Sequence, residues 1–283
     1  MTRSLEKFII FLHIQKTGGI TIQRILRREL GPSLSTRVLR AVSAERQSLS
    51  LEKAASAKRF EDGFFVGHCC FGIQRYLPQP FTYITMLREP VSRVISLYYY
   101  SIDNPTAYYH RHAVNKSLEE FALNTQLMEL DNGQVRFIAG DEKSLFINRT
   151  PIGECNTDLL ETAKENIDQH FSFVGLTEQF DQSMLLLYRM MGWSQSSYLR
   201  RNSAKEASRP TVSKRTRQLI AEKNNLDVEL YKHVHNRFHQ LLSRYGLDDE
   251  KLLKRFQIKN QMYRALWGIP YEKYDAFKAL FKS

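Results

Sequence analysis

Short apolar runs alternate along this chain with stretches whose apolar residues recur every three or four positions. The runs have the length of buried β-strands and lie at residues 8–14, 64–67, 81–87 and 171–175. The stretches between and after them have the spacing of amphipathic helices, including a long one at 226–245 that Gly246 terminates. Strands that alternate with helices predict an α/β fold, a three-layer domain with a central parallel sheet flanked by helices.

The first apolar run stops abruptly at a glycine-rich turn. From Phe8 to Thr21 it reads FIIFLHIQKTGGIT, and apolar residues at helical spacing follow, which predicts a strand, a tight loop and a helix. The backbone N–H groups of such a loop and the helix N-terminus favour an anion, and a lysine adds a full positive charge. The sequence therefore predicts a phosphate site formed by Gln15, Lys16, Thr17, Gly18, Gly19, Ile20 and Thr21.

The residue order in this loop differs from that of the usual nucleotide triphosphate loop. That pattern places its glycines before the lysine, whereas Gly18 and Gly19 follow Lys16. HIQKTGG instead resembles the 5′-phosphate loop of sulfotransferases that use 3′-phosphoadenosine 5′-phosphosulfate (PAPS), in the branch of the heparan sulfate 2-O- and 6-O-sulfotransferases and their bacterial relatives. The resemblance implies a P-loop-type fold, PAPS as donor and 3′-phosphoadenosine 5′-phosphate (PAP) as product, with Lys16 balancing charge on the leaving phosphate. A purely structural turn is the alternative.

A second match to this family lies in residues 81–100, FTYITMLREPVSRVISLYYY. Pro90 ends the strand and suits the first turn of a helix, so Arg88 is expected at the carboxyl end of the strand, where ligands bind in open α/β sheets. Ser96 is expected about two turns into the helix. This pair resembles the family's 3′-phosphate motif, which implies that both residues bind that phosphate. The alternative is that Arg88 pairs with Glu89 or Glu120.

A third match lies between the two phosphate motifs, where GHCCFGIQRYLP follows a predicted strand. His68 resembles the histidine that serves this family as general base, and a neutral imidazole is available for that role near pH 7. His13 is the nearest competitor, although its position in a strand favours a buried structural role. His110 and His112 follow an Asn-Pro turn and are candidates for contact with the acceptor.

Three later segments extend the resemblance. In FSFVGLTEQF, the resemblance implies that Thr177 contacts the adenine. Residues 198–210 resemble a basic loop found late in these enzymes, which implies that Arg201 closes over the PAPS phosphates or meets an anionic acceptor; a charged loop without such a role is the alternative. In DNGQVRFIAG, Gln134 and Arg136 serve either the acceptor side or helix packing, and packing is favoured.

Composition is typical of one enzyme domain. The chain has 283 residues of which 42% are hydrophobic, enough for one core of ordinary size. We expect a single sulfotransferase domain over 1–283, in which 247–283 forms a C-terminal extension with a helix at 248–256 and an aromatic tail. His, Cys and Asp do not cluster at metal-ligand spacing, so no metal is expected.

The formal net charge of +11 suits a cleft that attracts PAPS and an anionic acceptor. Nucleic acid is the other partner that such charge indicates, but no helix-turn-helix, zinc-finger or RNP-type motif is visible, so we expect none. The predicted partner is a hydroxyl acceptor, a saccharide, held by loops 102–116 and 141–156; a phenol or a lipid head group would suit the first loop nearly as well. A P-loop kinase or nucleotide-binding module that uses ATP is the alternative, and it needs an acidic magnesium ligand where Arg88 stands.

Localisation follows from apolar runs and cysteines. No run of about 18 apolar residues occurs, and the first apolar run enters the phosphate loop, unlike a signal peptide. Cys69, Cys70 and Cys155 are too few and too unevenly placed for a disulfide framework. We therefore expect no integral membrane segment and a cytoplasmic location in a bacterial cell. A truncated Golgi-luminal domain is the alternative, because animal members of the resembled family are Golgi membrane proteins.

Overall fold

The computed structural model describes residues 8–31, 34–35, 64–76, 80–194, 197–199 and 209–280, with the backbone alone for 34–35 and 267–280. Its strands are β1 Phe8–Leu12, β2 Leu34–Ser35, β3 Phe64–Gly67, β4 Phe81–Leu87 and β5 Phe171–Leu176. Its helices are α1 Gly19–Leu30, α2 Pro90–Asp103, α3 His110–Ala113, α4 Leu118–Ala122, α5 Gly133–Ala139, α6 Thr157–His170, α7 Phe180–Met190, α8 Lys214–Lys223, α9 Asn225–Arg244 and α10 Glu250–Leu280. Short 3₁₀ turns occur at Ile73–Tyr76 and Met128–Leu130.

The strands form one parallel sheet in the order β2-β3-β1-β4-β5. The central strand, β1, pairs with β3 on one side and with β4 on the other. The chain thus extends the sheet in one direction from β1 and then crosses over to extend it in the other. In open α/β sheets, ligands bind beyond the carboxyl ends of the strands where the order reverses, which here is beside the end of β1.

Both faces of the sheet are covered. Successive side chains of a strand point to opposite faces, yet every residue of β3 is buried, as are four of the five residues of β1. Strands that are buried on both faces read as continuous apolar runs, which is why four of them could be found in the sequence. The predicted α/β class, a central parallel sheet flanked by helices, is confirmed, and β1, its loop and α1 have the P-loop arrangement.

The boundaries of several elements differ from those expected. β1 ends at Leu12, two residues early, because His13 and Ile14 already belong to the loop. The two-residue strand β2 was not predicted, since it is too short for any periodicity. The expectation of a helix over 248–256 followed by an aromatic tail was wrong: α10 continues through the tail to Leu280. It runs through Gly268 and Pro270, two residue types that disfavour a helix interior, so local propensity did not predict this extension.

Helix α5 is buried along its whole length and depends on side chains from other helices. The carboxylate of Asp227, on α9, accepts hydrogen bonds from the backbone N–H groups of Gln134 (3.1 Å) and Val135 (2.7 Å). These are two of the N–H groups that an α-helix leaves without partners in its first turn. Burial raises the pKa of Asp227, and the guanidinium Nη2 of Arg93 lies 4.0 Å from its Oδ2. The start of α5 is therefore fixed to α9 and α2.

Gly140 ends α5 in a conformation that is open almost only to glycine. Its φ of 76° and ψ of −176° lie in the region that side chains disfavour, and an added Cβ would lie 2.4 Å from the carbonyl oxygen of Phe71. Gly31 ends α1 with similar angles, φ 80° and ψ −155°, but among the described residues none has an atom within 4 Å of an added Cβ. The two sites thus share backbone strain and differ in the clash.

We expect Gly31→Ala to lower the free energy of unfolding by on the order of 1–3 kcal/mol, the cost of strained backbone alone. Gly140→Ala should lower it by clearly more, because backbone at Phe71 must also move. Urea denaturation of both variants measures the difference. Equal losses would contradict the close approach of Gly140 to Phe71.

Candidate active site

Four side chains that the sequence singled out stand one residue beyond the end of a buried strand. His13 follows β1, His68 follows β3, Arg88 follows β4 and Thr177 follows β5. The register pairs Leu12 with Gly67 and Leu87 with Leu176. His13 therefore lies beside His68, and Arg88 beside Thr177, all at one edge of the sheet.

The predicted phosphate loop connects β1 to α1 and is braced internally. The hydroxyl of Thr17, fully buried, donates to the carbonyl of Ile14 at 2.8 Å, and the N–H of Thr21 donates to the carbonyl of Gly18 at 3.1 Å. Lys16 has φ 67°, the left-handed region that lysine rarely adopts. Such strain costs on the order of 1–3 kcal/mol and is concentrated at functional sites. The loop keeps Lys16 in this conformation by fixing the residues that follow it.

Gly19 allows the ring of His13 to approach the first turn of α1. A Cβ on Gly19 would lie 2.0 Å from that ring, closer than any two such atoms can come. The ring of His13 also contacts the ring of His68, with centroids 4.4 Å apart. The close contact explains why glycine stands at position 19, and it joins the predicted phosphate loop to the predicted base.

The ammonium group of Lys16 lies 4.0 Å from the ring centroid of Tyr100, a cation–π contact. Tyr100 is on α2, one turn after Ser96, so the two side chains share a face of that helix. Ser96 is buried. The face of α2 that carries the predicted 3′-phosphate serine therefore points toward the predicted 5′-phosphate loop.

Arg88 connects the strand end to the phosphate loop. Its Nη1 donates to the carbonyl of Lys16 at 3.3 Å, and its Nε lies 4.0 Å from Oε1 of Glu178. The alternative pairings of Arg88 with Glu89 or Glu120 do not describe this geometry. Glu89 caps α2, where its side chain accepts from two backbone N–H groups, and Glu120 lies 3.7 Å from Lys116.

Thr177 links three segments through one hydroxyl. Its Oγ1 is 3.0 Å from the carbonyl oxygen of Thr17 in the phosphate loop and 2.9 Å from that of Leu87 at the end of β4. Its backbone N–H also donates to Leu87. Thr177 is buried, and its predicted contact with adenine stays a prediction beside this observed role of joining β5, β4 and the loop.

The hydrogen bond of His68 fixes which ring nitrogen can act as a base. Its Nδ1 lies 2.7 Å from the carbonyl oxygen of His13, and a carbonyl can only accept, so Nδ1 carries the hydrogen. In the neutral ring, Nε2 then has the free lone pair. His68 is also exposed, unlike its neighbours on either side. It therefore presents an accepting nitrogen at the open edge of the sheet.

His13 is kept uncharged beside this base. Burial of the ring, and then the nearby charges of His68 and Lys16, hold the pKa of His13 well below its ordinary value. Near neutral pH, His13 therefore adds no positive charge next to Lys16. His13 was expected in a strand and buried; it lies in the loop after β1 and is half-buried, and its structural role stays a prediction.

The two cysteines that follow His68 are not nucleophiles. Both are buried, and burial raises the pKa of the Cys69 thiol and that of Cys70, the latter to about 12. A thiolate is the reactive form of cysteine, and these thiols remain protonated near neutral pH. His68 therefore does not form a cysteine–histidine pair of the kind used in nucleophilic catalysis.

Buried side chains hold both predicted acceptor loops in place. Arg136, fully buried, donates to the carbonyls of Asn148 at 3.0 Å, Thr150 and Pro151, which fixes the loop that follows α5. In the other loop, the hydroxyl of Tyr109 donates to the buried Glu129, whereas Tyr108 is 72% exposed. The preference for structural roles at Gln134 and Arg136 thus agrees with their burial.

Some predicted residues fall elsewhere, and some contacts were missed. Arg201 and most of the 198–210 loop lie outside the described residues. Glu178, Tyr100 and the contact of Gln134 with Arg88 were not foreseen. Glu178 follows Thr177 at a strand end, so its position was a usable signal, and Tyr100 lies four residues after Ser96. The contact of Gln134 with Arg88 spans 46 positions and leaves no local pattern.

Comparison with known proteins then decides the family. A family model described as galactose-3-O-sulfotransferase matches residues 2–256, most of the chain. The chain belongs to this family. The sulfotransferase resemblance expected from HIQKTGG is confirmed, with galactose-3-O-sulfotransferases beside the heparan sulfate branch.

Individual relatives agree with the family assignment. Galactose-3-O-sulfotransferase 3 of Mus musculus is 26% identical over 265 residues, which cover 86% of this chain and 59% of that protein. Heparan-sulfate 6-O-sulfotransferase 3 of Mus musculus is 28% identical over 279 residues, which cover 82% of this chain and 57% of that protein. The chain thus matches well under two thirds of the length of these curated relatives.

A solved structure, mouse sulfotransferase SULT7A1 complexed with PAP, aligns with 92% of this chain and 90% of its own. Its sequence identity is 12% and its TM-score 0.40, too loose to equate individual residues. Within the part of the chain that is described, no helix combines the length and the apolar character needed to cross a bilayer.

We expect Thr177→Val to lower the free energy of unfolding by about 1–3 kcal/mol, because the carbonyl of Thr17 loses its buried donor. Thr177→Ser is the matched control, since it keeps the hydroxyl and should retain most of the stability. Chemical denaturation measures both. If the serine variant were as unstable as the valine variant, the methyl group and not the hydroxyl would hold the junction.

Proposed function

We propose that this protein is a sulfotransferase that moves the sulfuryl group of PAPS to a hydroxyl group of a saccharide. The observation that carries the proposal is the meeting of three features of its family at one sheet edge: the Lys16 loop, His68 and Arg88. Family membership supports the reaction class. The printed names of the relatives refer to galactose and heparan sulfate, both carbohydrates.

The residues present fit a donor with two separate phosphates. Lys16 and the N-terminus of α1 offer positive potential on one side, and the guanidinium of Arg88 offers it on the other. The 3.3 Å bond from Arg88 to the Lys16 carbonyl keeps the two cations in neighbouring positions. The roles of Gln15, Ile20 and Ser96 at the phosphates rest on the resemblance alone.

PAPS, when bound, supplies a sulfuryl group on its 5′-phosphate, and the transfer breaks that S–O bond as a new bond forms to the acceptor oxygen. His68 accepts the hydroxyl proton at Nε2, the nitrogen that its bond to the His13 carbonyl leaves open. The ammonium of Lys16 leaves the ring of Tyr100 and balances the charge on the departing phosphate. Arg88 holds the 3′-phosphate. Positioning and electrostatic stabilisation account for most of the acceleration.

The acceptor is proposed to approach over α2 and α3. Tyr108 is exposed there and suits stacking on a sugar ring, and Arg111, also exposed, suits an anionic substituent. His110 is less suited, because its Nδ1 lies 2.8 Å from the carbonyl oxygen of Ser101. A cytoplasmic location stays a prediction, and the comparisons do not support it.

The alternative of an ATP-using kinase has less support. Its magnesium ligand would be expected at the end of β4 or β5, where the carboxylates are Glu89 and Glu178. Glu89 caps α2, and Glu178 accepts from the N–H of Glu89 at 3.0 Å and from the hydroxyl of Tyr231 at 2.8 Å. Both carboxylates are thus already engaged, and the Nε of the cation Arg88 lies 4.0 Å from Glu178.

A transfer assay with radiolabelled PAPS and a panel of galactose-terminated and heparan-type saccharides tests the proposal. We expect the wild-type protein to label at least one saccharide and His68→Ala to lose about 10²–10⁴-fold in rate, the usual contribution of a general base. The affinity of His68→Ala for PAP should be nearly unchanged. His233→Ala is the control and should retain full activity, since the imidazole of His233 on α9 lies against Asp168 of α6 at 3.5 Å.

Two results would count against these roles. A His68→Ala variant that no longer binds PAP would make His68 a donor-site or structural residue. A wild-type protein that binds PAP but labels no saccharide would refute the acceptor class.

A further inference from the structure

We propose that Gln134 positions Arg88 for the 3′-phosphate, and that this buried amide sets the preference for PAP over AMP. The inference rests on the proposed function, since it assumes that Arg88 meets that phosphate. Gln134 itself touches no ligand in this account. It acts through the backbone of Arg88.

The contact is a reciprocal pair of hydrogen bonds. The backbone N–H of Arg88 donates to Oε1 of Gln134 at 3.0 Å, and Nε2 of Gln134 donates to the carbonyl of Arg88 at 2.9 Å. Only this orientation of the amide satisfies both groups, because an N–H must face an oxygen at each end. Arg88 follows the last residue of β4, so the side-chain amide takes the place of a further strand partner.

The residues on either side of Arg88 are held in the same way. The carbonyl of Leu87 accepts from the N–H of Thr177 at 2.9 Å, and the N–H of Glu89 donates to Glu178 at 3.0 Å. Glu89 then caps α2. The backbone is thus held before, at and after Arg88. Gln134 supplies both bonds at Arg88 itself, the residue whose side chain is proposed to bind the 3′-phosphate.

Gln134 is itself immobile. Its side chain is fully buried, and its own N–H donates to Asp227. Asp227 lies 4.0 Å from Arg93, which in turn donates to the carbonyl of Glu129 at 2.7 Å. Because this network holds the amide of Gln134 in place, the position of α5 determines the position of the backbone at the end of β4.

Loss of Gln134 should weaken binding of the 3′-phosphate and leave binding of the 5′-phosphate unchanged. If Gln134 is lost, the backbone of Arg88 loses two hydrogen bonds and the direction of its side chain is held less tightly, whereas the bonds within the Lys16 loop remain. Guanidinium–phosphate hydrogen bonds depend strongly on geometry, so a displaced Arg88 should hold a 3′-phosphate less well. The affinity for PAP, which carries a 3′-phosphate, should therefore fall, and the affinity for AMP, which lacks it, should not.

Calorimetric titrations of the full chain with PAP and with AMP test this. We expect Gln134→Met, which keeps the size of the side chain but neither bond, to bind PAP about tenfold or more weakly and AMP less than threefold more weakly. Arg88→Ala is the reference and should show the same selective loss. Asn166→Met is the matched control: Asn166 donates to the carbonyls of Ile138 and Ala139 at the opposite end of α5, so both affinities should be unchanged.

The outcomes separate this inference from the proposed function. If wild-type protein does not prefer PAP to AMP, the proposed function fails. If it does prefer PAP, and Arg88→Ala removes that preference while Gln134→Met keeps it, the positioning role of Gln134 is overturned. Equal losses for both ligands in Gln134→Met would make Gln134 merely structural and would also overturn it.

A second variant covers failure of Gln134→Met to fold, which thermal unfolding will detect. Gln134→Asn keeps an amide in the buried site but is one methylene too short to make both bonds. It should fold and show the same selective weakening of PAP. Retained preference for PAP in this variant would contradict the inference.

Discussion

The parallel register of four buried strands is the constraint on which the rest of this site depends. Because the strands run in one direction and pair nearly in step, they end at the same edge of the sheet. Residues directly beyond those ends are brought together although they lie up to 164 positions apart (177 − 13) in the sequence. The register brings His13, His68, Arg88 and Thr177 to one edge, and the hydrogen bond from His68 to the carbonyl of His13 forms within that arrangement.

An edge of this kind leaves backbone groups without strand partners, and the protein satisfies them with side chains. Thr177 shares one hydroxyl between the carbonyls of Thr17 and Leu87, and the amide of Gln134 pairs with both backbone groups of Arg88. Unpaired buried polar groups are costly, so these bonds stabilise the fold. They also fix the backbone from which Arg88 projects, so the donor binding proposed for Arg88 would depend on the same contacts as stability.

The parts that local sequence pattern could predict are those with local causes. A continuous apolar run, a proline at position 90 and glycines after Lys16 each act within a few residues, so the strands, the start of α2 and the loop were foreseen. The contacts of Gln134 with Arg88 and of Thr177 with Thr17 join residues 46 and 160 positions apart. No periodicity encodes such pairs. The end of α10 was misplaced for a different reason: Gly268 and Pro270 in the aromatic tail disfavour a helix interior, yet α10 runs through both.

The most direct test of this account is calorimetric titration of the purified protein with PAP and, separately, with ATP and magnesium. A site with Lys16 on one phosphate and Arg88 on a 3′-phosphate predicts tight binding of PAP and little response to ATP. Preference for ATP with magnesium would contradict the account, because Lys16 would then serve a kinase and Arg88 would have no 3′-phosphate to bind.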